Sequence, residues 1–169
     1  MKRLLLIYVL TLTLLLLITA CLKEKTQNFS DGQVNFVAVD KVPVVKGTLN
    51  GKEAYFIIDS GASLSVLDKK QSSDYKFNVG IPLDINISGY GGESTPNKVS
   101  GVNIIVGGIS FDGTYRTQDI TNIVSTIQEA SGVKIVGIIG SNIMKPKGLI
   151  IDYSTNSLYI KEFVTIQPK

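Results

Sequence analysis

Histidine is absent from the chain and cysteine occurs once, at Cys21. Without an imidazole, Ser-His-Asp and Cys-His nucleophile systems are excluded, as are metal sites built on histidine. A lone cysteine excludes an internal disulfide and a cysteine-rich zinc site. No metal and no cofactor are expected, and carboxylates are the main groups left for acid and base chemistry. Charge of either sign is also scarce: 17 basic residues face 14 acidic ones, and two of the basic ones, Lys2 and Arg3, stand in the leading segment. The remaining lysines are scattered, with no basic stripe to neutralise phosphates, so a nucleic-acid partner is not expected. There is no internal repeat and no low-complexity tract.

Long apolar runs are confined to the start, where Leu4 to Leu17 follow Lys2 and Arg3 and lead into Ile18-Thr19-Ala20-Cys21. The run is shorter than the ~20 residues a spanning helix needs and ends in small residues, which favours an export signal that is cleaved. Ile18 to Cys21 resembles a bacterial lipobox, with isoleucine where leucine is commoner. That resemblance implies acylation of Cys21, a signal peptide over 1–20, and a protein held on a membrane of the bacterial cell envelope by lipid. Several acyl chains would anchor it stably, since each buried methylene contributes about 0.8 kcal/mol. Residues 21–33 are polar and aperiodic and read as a tether.

The remaining length suits one domain, expected over 34–165 and large enough to rest on apolar packing. Short apolar segments at Val44 to Leu49 and Ala54 to Ile58 flank Asn50-Gly51, the signature of a type I′ hairpin in which both central residues take positive φ. Further strands are predicted at Val34 to Asp40, Ser63 to Leu67, Leu83 to Ser88, Val99 to Val106, Thr114 to Thr117, Val133 to Ile138, Gly148 to Tyr153 and Ser157 to Lys161. One helix is predicted over Ile120 to Ala130, and a shorter helical turn over Asn142 to Lys145. The fold class is mostly β, a barrel or sandwich with one or two short helices.

The residues that point to chemistry begin at Asp59. Asp59-Ser60-Gly61-Ala62 follows an apolar strand directly, so a carboxylate emerges where a buried strand breaks into a turn. By itself such a sequence is often only a turn, because aspartate and serine bond their own backbone. Downstream stand Val136-Gly137-Ile138-Ile139-Gly140, then Ser141-Asn142-Ile143-Met144, then Gly148 to Tyr153. This order, over roughly Val34 to Phe163, resembles retropepsin-like aspartic peptidases.

The resemblance implies a closed β-barrel of the retropepsin type and a peptidase acting on a peptide or protein substrate through water. Asp59 would be the catalytic carboxylate, supported by Ser60, Gly61 and Ala62, with Ile138, Ile139 and Gly140 packed beneath the turn. Two carboxylates held this close share one proton, one acting as base and the other polarising the scissile carbonyl. Phe111-Asp112-Gly113-Thr114 has the wrong residue order and Asp152 falls inside the closing hairpin. With one such turn per chain, the second aspartate is expected from a homodimer. Gly89, Tyr90, Gly91 and Gly92 form a candidate flap; a plain glycine-rich hairpin turn is the other reading. The helix within Asp112 to Gly132 is read as core packing and assigned no function. Two other readings stay open: a lipid-anchored envelope binding protein that keeps the fold without hydrolysis, and a β-sandwich adhesion module indifferent to Asp59.

Overall fold

The computed structural model describes residues 33–37, 42–89 and 92–160. The signal segment with Cys21, nearly all of the tether, and Tyr90 and Gly91 of the candidate flap lie outside the described residues. The domain is mostly β, and its main sheet has nine strands. Numbered along the chain, the strands that position the site are β2 (Val44–Leu49), β3 (Lys52–Ile58), β4 (Ser65–Asp68), β5 (Asn78–Pro82), β8 (Asn97–Ser100), β9 (Ile104–Val106), β10 (Ile109–Ser110), β11 (Tyr115–Gln118) and β12 (Ile135–Ile139). Their spatial order is β10-β9-β2-β3-β12-β4-β11-β8-β5. A separate ribbon pairs β6 (Ile87–Gly89) with β7 (Gly92–Ser94), and a small sheet pairs β1 (Val34–Asn35) and β13 (Leu149–Asp152) with β14 (Ser157–Ile160).

Among the described residues no sheet closes into a barrel. β10 has only two residues, while β5 pairs with β8 through a register shift and ends in Pro82, which has no N–H to donate to another strand. The helical content also exceeds the expected one or two helices: α1 (Ser72–Tyr75), α2 (Thr121–Ser131), α3 (Ser141–Met144) and a 3₁₀ turn at Lys69–Gln71. The carboxylate of Asp68 starts that turn by accepting the Lys70 N–H, and Lys76 ends α1 at φ 55°.

The Asn50-Gly51 hairpin forms as predicted, with φ of 52° and 80° and Leu49 paired to Lys52. Asn50 does more than turn the chain. Its side chain donates to the carbonyls of Gly101 (2.6 Å) and Tyr75 (2.9 Å) and accepts the Asn103 N–H (2.8 Å). The single strand expected over Val99 to Val106 is broken at Gly101, which has φ 70°, into β8 and β9.

The sheet has two apolar faces. Ala54, Phe56 and Ile58 of β3 face the larger core, and Ile57 faces a second cluster roofed by Val124 of α2. Strand β12 is buried along its whole length because it sits between β3, to which it runs parallel, and the antiparallel β4. A register shift between Ile135 and Gly137 turns both Ile135 and Ile138 to the second cluster, three residues apart, where regular alternation would separate them.

Candidate active site

Asp59 is the first residue past β3, and its backbone is pinned from the neighbouring strand. Its N–H donates to the Ile139 carbonyl at 3.0 Å, continuing the parallel pairing of Ile58 with Ile139. The turn then closes on itself: the Ala62 N–H reaches the Asp59 carbonyl (3.2 Å) and the Gly61 N–H donates to Asp59 Oδ1 (2.9 Å). Asp59, Ser60 and Gly61 are exposed, and Ala62 is half-buried.

Beneath the turn lies a second layer. The Ala62 carbonyl accepts two bonds from Ser141, one from its N–H (2.8 Å) and one from its hydroxyl (2.9 Å). Gly140 is held by the wholly buried Ser65, whose Oγ accepts the Gly140 N–H (2.8 Å) and donates to Asn142 Oδ1 (2.8 Å). The amide of Asn142 in turn donates to the Thr114 carbonyl at 2.7 Å. A Cβ on Gly140 would stand 2.7 Å from the Ala62 oxygen and 2.8 Å from the Leu64 carbonyl carbon, so only glycine fits under this turn.

The predicted residues therefore come together, with one refinement. Ile139 meets the turn through its backbone and Gly140 through close contact, whereas Ile138 lines the cleft in front of it. That cleft has a volume of about 440 Å³ and is bounded by Asp59, by aliphatic side chains that include Leu64, Val66, Ile87, Ile123 and Ile138, and by the polar Ser94, Gln118, Asp119 and Asn122. Gly89 and Gly92 of the candidate flap pair across the β6–β7 ribbon, and Gly92, with φ 92°, lines the cleft. Asp112 and Asp152 serve local turns: Asp112 accepts the Ser110 hydroxyl, and Asp152 accepts N–H bonds from Ser154 and Thr155.

Sequence reasoning missed Ser65, Gln118 and Asp119, and read α2 as packing alone, although Asn122 and Ile123 at its start form part of the cleft wall. The signal available for Ser65 was its spacing, a polar residue inside the apolar Leu64 to Leu67. Asp119 is a second carboxylate in the cleft, but it is engaged. Lys70 Nζ lies 2.8 Å from Oδ2 and the Thr121 N–H donates to Oδ1 at 2.9 Å, and these contacts, Lys70 foremost, hold its carboxyl well below the usual carboxylate range.

An apolar strand ending in an aspartate turn, pinned by a hydrophobic-Gly strand and opening on a cleft under a β-ribbon, defines the retropepsin-like class of aspartic peptidase domains. The comparison with protein families agrees: the family model described as Aspartyl protease matches residues 45–143, more than half of the chain, from β2 through the turn to α3. The chain belongs to this aspartyl protease family. No curated protein matches it.

Proposed function

We propose that the protein is an aspartic endopeptidase whose active form is a homodimer pairing two Asp59 carboxylates. One carboxylate takes a proton from water as the oxygen attacks the peptide carbonyl, while the other gives its proton to the carbonyl oxygen. Collapse of the tetrahedral species with proton transfer to the nitrogen releases the two products. The observation that carries this reading is the exposed Asp59 in a turn pinned by Ile139 and Ala62 at the edge of an aliphatic cleft. A symmetric partner is favoured because Asp119, the other carboxylate of that cleft, is bound to Lys70 and the Thr121 amide and has no proton to share. Ser60, exposed beside it, would bond across to the partner turn.

The substrate is an extended peptide with an apolar side chain seated against Val66, Ile123 and Ile138, under a flap formed by the β6–β7 ribbon. Acylation of Cys21 would hold the domain at a membrane surface of the cell envelope, tethered by residues 21–33. The test is cleavage of a peptide library at acidic pH by the unmodified chain and by Asp59→Asn, with sedimentation of both. Asp59→Asn should cut cleavage by roughly three orders of magnitude or more while leaving the dimer intact. A folded, unmodified dimer that cleaves nothing would favour the binding-protein reading.

A further inference from the structure

The β6–β7 ribbon is a sheet of its own, and its ladder joins only its two strands. Its base is stapled twice, by the Leu83 N–H on the Pro96 carbonyl and by the Thr95 hydroxyl on Asn86 Oδ1, both at 2.9 Å. Higher up, among the described residues, one hydrogen bond joins a ribbon strand to the main sheet: the Ser94 hydroxyl donates to Gln118 Oε1 at 2.7 Å. Gln118 is a firm anchor. It ends β11, which is paired with β4 on one side and β8 on the other, and it lies opposite Asp68. The next residue, Asp119, is fixed by Lys70 and Thr121. Ser94 and Gln118 both line the cleft that holds Asp59.

Resting on the peptidase reading, we propose that Gln118 is a positioning residue that sets the height of the ribbon over the cleft. Its carbonyl oxygen holds Ser94, and its amide nitrogen, without a hydrogen bond among the described residues, is the donor for a main-chain carbonyl of an extended peptide. The ribbon is thus registered on the same side chain that meets the substrate backbone, and peptide binding and ribbon position become coupled through one amide group.

Amide hydrogen exchange of the full chain tests the latch, beside steady-state kinetics on a cleaved peptide. Ser94→Ala should speed exchange of residues 87–89 and 92–94 by roughly five-fold, the effect of one modest hydrogen bond, with β3 and β12 unchanged. Gln118→Met should do the same and in addition raise KM more than it lowers kcat. The double variant should exchange no faster than either single one, because both remove the same bond. Ser94→Thr should restore the slow rate. Equal ribbon exchange in the unmodified and Ser94→Ala proteins, or additive effects in the double variant, would overturn the latch. Exchange is read whether or not peptides are cleaved, so a five-fold change without cleavage would count against the peptidase reading alone.

Discussion

Replacing Ser65 with alanine removes a single oxygen atom from beneath the Asp59 turn, and the structure allows its cost to be worked out. Ser65 is wholly buried, and its Oγ has two partners, the Gly140 N–H and Asn142 Oδ1, each at 2.8 Å. The Gly140 N–H is itself buried and would be left without an acceptor, a loss of about 1–3 kcal/mol for an unsatisfied group. Asn142 is half-buried and keeps its bond to the Thr114 carbonyl, so its oxygen can turn to water at the ordinary cost of about 0.5–1.5 kcal/mol. The sum, about 1.5–4.5 kcal/mol, is a large share of the roughly 5–15 kcal/mol by which a domain is stable. Urea unfolding followed by circular dichroism should show the midpoint fall with an unchanged slope, and Tm should fall by about 6–18 °C. Ser63→Ala, at an exposed position two residues earlier, is the control and should stay within about 0.5 kcal/mol. A Ser65→Ala protein as stable as that control would refute the claim that this hydroxyl supports the turn.

Gly140→Ala should destabilise by about 1–3 kcal/mol and depress cleavage at unchanged substrate affinity. The added carbon meets backbone atoms of Ala62 and Leu64 that cannot rotate away, so Tm and kcat should fall together. Asp119→Asn should remove stability in a pH-dependent way. Because the folded carboxyl titrates below its unfolded value, its contribution is complete above pH ~4 and is lost as pH falls through the lower folded value. The stability gap between the unmodified and Asp119→Asn chains should therefore be constant near neutrality, narrow below about pH 4 and shrink in 1 M salt, as expected for a half-exposed pair. A gap unchanged down to pH 2 would contradict the pairing.

Local chemistry made much of this domain legible in advance. Asn50-Gly51 encodes its own hairpin, because few other residue pairs accept two positive φ angles in succession, and the apolar strand running into Asp59-Ser60-Gly61 states both the strand end and the turn. The helix over Thr121–Ser131 and the strand over Ile135–Ile139 fall within two residues of their predicted bounds, since their periodicity and continuous burial are properties of the segments themselves. Strand β5 and the break at Gly101 were not legible. Asn78–Pro82 is short, holds Gly80 and Pro82, and leaves Ile81 open to solvent, so it is a strand only because β8 lies beside it.

Residue order alone put a carboxylate at the end of a buried strand and left no histidine or paired cysteine to compete with it, while the packing of an Ile-Gly segment nearby was implied by the family resemblance. Which groups hold the turn of that carboxylate and the ribbon beside it in place was decided only in three dimensions. Ser65 and Gly140 are 75 positions apart, and Ser94 and Gln118 are 24 apart. Their hydrogen bonds exist because β4 lies against β12 and the β6–β7 ribbon folds back toward the end of β11, juxtapositions that no local propensity encodes. The same holds for Asp119. Its charge is visible in the chain, but only the folded arrangement brings Lys70 and the Thr121 amide to it.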